Sequence, residues 1–323
     1  MNFCVDEFAI GMGPKIFSRT RGETAYSLRL LPIGGFVSLE GEDIYEPSGN
    51  PRSFSNKPYW QRVIVLAAGS AMNLLLGFLI LLILFMPMQE MTLPVIDHFA
   101  DQLQETGLGG MQVGDRILAV NGEGIYVTSD VAEFMQRYSG RPYDIKIKRA
   151  GRTLTLEDVT LNPADYTMDG EAFRGYGLSF TMVSNLGFFD KAGYAFNNCR
   201  NLVRSVRLGL GDLFRGDVGV GELSGPVGIT AAIGEISRVS ISSTWYFVAL
   251  ITLNLAVMNM LPIPGLDGGR LLFVTLSSIT RKIRGRAISP KFEAVVNGVG
   301  LLLLFGLMAF VTYNDIVRLV TRG

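Results

Sequence analysis

Apolar positions are gathered into three long uncharged runs rather than spread evenly along the chain. Val63 to Met86, Trp245 to Met260 and Val295 to Tyr313 each lack a charged residue. A helix needs roughly 20 apolar residues to cross a bilayer core. The first and third runs are long enough, and the second becomes so when Ile241–Thr244 and Leu261–Ile263 are added. The pattern predicts membrane helices over 59–88, 241–264 and 292–313. Pro87 ends the first, and Tyr59 and Trp60 suit an aromatic anchor at the membrane interface.

The intervening segments follow other periods. Residues 1–58 are polar with strand-like pieces: Ala25–Leu31 and Phe36–Leu39 flank Pro32 and the pair Gly34-Gly35, which predicts a hairpin or a bent strand pair there. Residues 91–163 read as a β-rich module. Gly114-Asp-Arg-Ile-Leu-Ala-Val-Asn121-Gly122 is a strand closed by an Asn-Gly turn. Thr128–Tyr138 reads as a helix capped by Thr128 or Ser129. Strands follow at Tyr143–Lys148 and Thr153–Leu161, around an Ala150-Gly151 turn. This order, with the string from Gly110 to Gly122, resembles a PDZ domain. Residues 164–240 are expected to be a linker with an amphipathic helix, because Phe188, Phe189, Ala192, Phe196, Cys199, Leu202, Val203, Val206 and Leu210 recur at helical spacing. That helix could lie on the membrane surface or pack on neighbouring protein. Arg200, Arg204 and Arg207 decorate its remaining surface, and Gly209–Gly228 is expected to be loop.

Composition agrees with a membrane chain: 48% of the 323 residues are hydrophobic. The formal net charge is zero, so nothing points to nucleic acid. Cys4 and Cys199 make no spacing motif, His98 is the only histidine, and Met1–Gly13 has no apolar core of a signal peptide. The segment 265–291 carries Arg270, Arg281, Lys282, Arg284, Arg286 and Lys291 against Asp267 alone, so it is expected to be cytosolic. Alternation then puts 1–58 in the cytosol and the 91–163 module outside, with 314–323 as a tail.

The densest chemistry lies in Asn259-Met-Leu-Pro262-Ile-Pro264-Gly-Leu-Asp267-Gly268-Gly269. Two prolines this close break a helix, and irregular backbone at membrane depth needs surrounding protein or a water-filled cavity. Asp267 is then either a functional ionisable group near the membrane or a cap of the helix that follows. Gly268 and Gly269 admit close approach of another backbone.

This string resembles the signature of the site-2 protease family of intramembrane zinc metallopeptidases. Other strings resemble the same family, closest to enzymes of the regulator of sigma-E protease kind: Gly69-Ser-Ala-Met-Asn73 in the first membrane helix, Phe8–Pro14 with Tyr26–Val37 as a membrane-associated β-hairpin, and Leu223–Ile229 as a linker. The resemblance covers nearly the whole chain. It implies a polytopic α-helical membrane protein with an inserted extracytosolic PDZ-like β-rich domain. It implies zinc as cofactor and Asp267 as the third zinc ligand, with Asn259, Pro262, Pro264, Gly268, Gly269, Asn73 and Gly69 supporting. The implied activity is cleavage of transmembrane segments of membrane-anchored regulators. The implied partners are a membrane-anchored protein substrate, the lipid bilayer, and a peptide or C-terminus at the PDZ-like domain. One departure stands out. The family's His-Glu-x-x-His, which supplies two ligands and the general base, is absent. The expectation is an N-terminally truncated form, inactive alone, with a fourth helix upstream of Met1. The alternatives are a pseudo-protease or a membrane-tethered PDZ scaffold without chemistry, and a transporter with a broken helix is a further rival.

Overall fold

In chain order the elements are β1 (Val5–Arg21), β2 (Thr24–Leu39), α1 (Tyr59–Phe85), β3 (Glu90–Phe99), β4 (Arg116–Val120), β5 (Glu123–Gly124), α2 (Ser129–Arg137), β6 (Tyr143–Arg149), β7 (Arg152–Val159), β8 (Ala164–Met168), β9 (Glu171–Gly175), β10 (Leu178–Ser184), α3 (Phe188–Arg215), α4 (Pro226–Val239), α5 (Ile241–Asn259), α6 (Asp267–Arg284) and α7 (Pro290–Arg322). The computed structural model describes residues 2–42, 49–103, 108–160, 162–168, 170–219, 221, 223–285 and 288–322. Arg286 of the expected basic segment and Leu161 of the expected strand lie outside the described residues.

The apolar runs became helices for the reason their composition predicts. Among the described residues three helices are long and apolar enough to cross a membrane: Tyr59–Phe85, Ile241–Asn259 and Lys291–Thr321. Little of their surface is buried within the protein, which fits apolar side chains that lipid solvates. The chain folds as two compact units. One comprises Met1–Leu74, Val218–Ala232 and Leu255–Gly323, and the other Leu75–Asp217 and Ile233–Asn254.

In the first unit β1 and β2 pair antiparallel with repeated register shifts, so Phe8 faces both Val37 and Tyr26. The chain reverses at Gly22-Glu23 and again between Leu28 and Gly35 within β2, since residues 7–10 pair with 25–28 in ascending order and with 38–35 in descending order. The bent strand pair expected around Pro32 and Gly34-Gly35 therefore forms, with Gly34 at φ +68, and Gly22 at φ +67 makes a further tight reversal. Alternation sorts the side chains of this ribbon. Phe8, Ile10, Tyr26 and Leu28 are exposed, whereas Ala9 and Ser27 are buried. Glu7, between them, accepts from Ser27 and Arg29 and pairs with Lys15. These donors hold its carboxyl down at about 2.

The second unit holds an antiparallel sheet in the order β10-β3-β4-β6-β7. Ile96, Ile117, Val120, Ile145 and Ile147 from the strands and Phe134 from α2 form its core. The Asn121-Gly122 and Ala150-Gly151 turns form as read, each with both φ angles positive. Asp115 is fully buried, accepts the Gln112 N–H and receives two bonds from Arg149. Three expectations change here. The sheet takes its outer strand β10 from residues beyond the 91–163 boundary, after the β8–β9 hairpin, because Leu178–Ser184 pairs with β3. Thr128 stands at the N-cap of α2 as one of the two readings had it, but its Oγ donates to the Thr92 carbonyl rather than capping, and Asp130 accepts from the Tyr126 and Val127 N–H groups. Helix α3 continues through Gly209 to Arg215, where Gly216 closes it at φ +79, so the expected loop is confined to the residues before α4.

Candidate functional site around the proline-broken segment

The site lies in the first unit, between the end of α5 and the start of α6. Pro262 and Pro264 remove two donors, so the backbone from Met260 to Leu266 cannot continue the helix. It turns instead, with Ile263 N–H on Leu261 O at 2.7 Å and Leu266 N–H on Ile263 O at 3.2 Å. The turned segment folds back on the start of α6. A Cβ on Gly268 would stand 2.2 Å from Leu261 O, and one on Gly269 2.3 Å from Ile263 O. These contacts are the close backbone approach that the glycine pair permits.

Helix α7 seals the other side. Gly265 has φ +95 and donates to Asn297 Oδ1 at 3.2 Å. A Cβ on Gly300 would stand 2.2 Å from Pro264 O. Asn297 and Gly300, three residues apart on one helix face, therefore hold the broken segment in place.

Asp267 is the first residue of α6, preceded by Leu266 as N-cap. Asp267 is therefore not the cap of α6; it stands where the broken segment ends and in the first turn of the helix. Gly69 of α1 faces it, since a Cβ there would lie 3.7 Å from Asp267 Oδ2. Asn73 follows one turn along the same helix. Neither it nor Asn259 is hydrogen-bonded to Asp267, and among the described residues nothing donates to the Asp267 carboxylate. Burial pushes that carboxyl above its ordinary range, with Arg270 opposing. Arg270 itself is engaged by Glu42 at 2.6 Å. A half-buried carboxylate without donors is a suitable ligand for a cation, because a nearby dication favours its ionised form.

One carboxylate does not make a zinc site. A catalytic zinc takes three protein ligands, and the sequence holds a single histidine, His98. Among the described residues one trio of ligand-type side chains lies together, Cys4, Asp6 and Glu40, and Asp267 is not in it.

Sequence reading missed two further groups. Asp315, the one acidic residue in the second half of α7, is 2% exposed and accepts the N–H groups of Gly225 and Gly228 at 2.9 and 2.8 Å. It thereby satisfies the start of α4, and an acidic residue two positions past the third apolar run was the available signal. In the second unit Arg204, expected to decorate α3, is buried against Asp130. Nothing in the local pattern of α3 separates it from Arg200 and Arg207.

These features define a polytopic membrane protein with an ionisable side chain at a proline-broken helix junction. The chain belongs to peptidase family M50, the site-2 proteases: the sequence model of that family matches residues 1–307. It is 34% identical over 317 residues to a Clostridium perfringens protein that carries a zinc metalloprotease name, covering 97% of this chain and 90% of that protein. It is 30% identical to the zinc metalloprotease RasP of Shouchella clausii, covering 97% and 91%. Against the regulator of sigma-W protease RasP of Bacillus subtilis it is 28% identical, again over 97% and 91%.

Proposed function

We propose that this chain carries the aspartate half of a zinc-dependent intramembrane protease active site. The substrate class is a transmembrane segment of a membrane-anchored regulator. The observation that carries the reading is Asp267: a half-buried carboxylate with no donor among the described residues, at the junction of the broken segment and α6, with side-chain-free Gly69 opposite it. The relatives named as zinc metalloproteases support the choice of metal, and the relative named as a regulator of sigma-W protease supports the substrate class. Zinc with an open position lowers the pKa of bound water to about 7. In this chain Asp267 holds one ligand oxygen. Gly268, Gly269, Gly265 and Gly300 fix the backbone that aims it, and Pro262 and Pro264 keep that backbone out of a helix. The chain's single histidine, His98, leaves two ligands of a three-ligand site unassigned.

The β-rich module, read as PDZ-like, would present substrate by strand addition. The place of β10 at one end of the sheet order, with no strand on its outer edge among the described residues, supports that role. The basic residues after Asp267 support a cytosolic position for 265–291, with the module outside.

The test fuses the chain behind an apolar helix bearing His-Glu-x-x-His, and follows cleavage of a membrane-anchored reporter together with zinc content. Asp267→Asn keeps the size and removes the charge, so it should abolish cleavage and lower retained zinc while the protein still inserts. Full activity of Asp267→Asn would remove the ligand role. If the fused parent neither cleaves nor binds zinc, the reading as a non-catalytic scaffold takes over.

A further inference from the structure

The basic segment after Asp267 is a helix with an exposed apolar stripe. In α6, Phe273 and Val274 are buried, and Leu271 packs against the cluster of Leu39, Phe54, Leu66 and Val274. On the opposite face Leu272, Leu276, Ile279 and Ile283 follow at spacings of four, three and four, which align them along one line of a helix. All four are exposed, rising from 39% at Leu272 to 76% at Ile283. Lys282 and Arg284 flank this stripe in the last turn. From Gly268 to Phe292 the sequence has no acidic residue, and Arg281, Lys282 and Arg284 make no ion pair among the described residues. The helix itself is too polar to count among the spans, yet it runs between α5 and α7, which are both long and apolar enough to be spans. A segment connecting two spans emerges at a membrane surface.

We propose that α6 is an interfacial helix that seats its Leu272–Ile283 stripe in the bilayer, with Lys282 and Arg284 on anionic lipid headgroups. An exposed apolar line with flanking cations and no acid is the pattern that binds such a surface. A protein partner would need its own acidic residues against the three cations, and nothing in the apolar stripe supplies directional recognition. Asp267 opens this helix, so the lipid that α6 touches bears on the orientation of that carboxylate. The lipid contact stands whether or not Asp267 binds metal, because it rests on the exposed face and the charges alone.

The experiment uses the full chain with Cys4 and Cys199 replaced by serine, in nanodiscs of phosphatidylcholine alone or mixed with phosphatidylglycerol. Spin labels are attached at Leu276→Cys, Ile279→Cys and Ile283→Cys, and at Ser277→Cys and Arg281→Cys as off-stripe positions. Collision with oxygen, concentrated in lipid, is compared with collision with a water-soluble nickel chelate. The stripe positions should favour oxygen, and the off-stripe positions should not. Phosphatidylglycerol should deepen the stripe labels. Each cation near an anionic surface strengthens attraction about fivefold, so Lys282→Gln/Arg284→Gln should erase the dependence on phosphatidylglycerol. Nickel access at the stripe equal to that at Arg281→Cys would overturn the proposal. So would shielding of the stripe from both reagents, which would indicate a protein partner or a second copy. Because no activity is read, failure here is separate from failure of the zinc-site reading.

Discussion

Arg204 offers the sharpest energetic test. Its side chain is 5% exposed and Asp130 is fully buried. Their contact is 2.8 Å, and the same Asp130 oxygen accepts the Tyr126 and Val127 N–H groups at 2.6 and 3.1 Å. The guanidinium also donates to Asn201 and to the Gly124 carbonyl, and it lies 4.5 Å from the Tyr126 ring centre and 4.6 Å from that of Phe134. Arg204→Met retains apolar bulk but leaves Asp130 buried with two backbone donors and no counter-charge. Breaking a buried pair from one side costs about 3–5 kcal/mol. At about 1.4 kcal/mol per tenfold, amide exchange in Val131–Met135 and Leu202–Leu208 should accelerate by roughly two to four orders of magnitude. Removing both charges is far cheaper than removing one, so Arg204→Met/Asp130→Asn should exchange more slowly than Arg204→Met. The assay is hydrogen exchange by mass spectrometry on the full chain in detergent, at a pH where opening is at equilibrium. An Arg204→Met acceleration under tenfold, or strictly additive effects in the double variant, would refute the view that this pair ties α3 to the sheet unit.

Two smaller tests address the first unit. On α7, Gly300→Ala drives a methyl into the Pro264 carbonyl and should cost about 1–3 kcal/mol, whereas Gly306→Ala meets nothing within 4 Å and should leave the thermal midpoint unchanged or slightly raised; equal midpoints would discount the packing argument. Glu7 has a carboxyl held at about 2, below its ordinary 4.5, so the folded state binds fewer protons than the unfolded one across that interval. Its contribution is present above about pH 4.5 and disappears as the pH falls through about 2. Carboxyl NMR should find that midpoint, and ordinary titration near 4.5 would show that Ser27 and Arg29 do not hold Glu7 in solution.

The sequence by itself determined the elements whose cause is local. Uncharged length made α1, α5 and α7, since in lipid a helix alone satisfies its own backbone. Asn121-Gly122 and Ala150-Gly151 made their turns because those residues tolerate positive φ. Pro262 and Pro264 broke the chain before Asp267 because proline has no N–H to give. Tertiary structure decided what depends on distant partners. Gly300 and Asn297 matter only because Pro264 and Gly265 come to rest on them. The further reversal at Gly22-Glu23 has only a weak local signal and is fixed by the pairing of Arg21 with Thr24. Arg204 reads like its surface neighbours until Asp130 is placed beneath it, and the stripe on α6 becomes visible only once Phe273 and Val274 are seen to take the inner face. Periodicity names the faces of a helix, but which face meets protein and which is left for lipid follows from the packing of the rest of the chain.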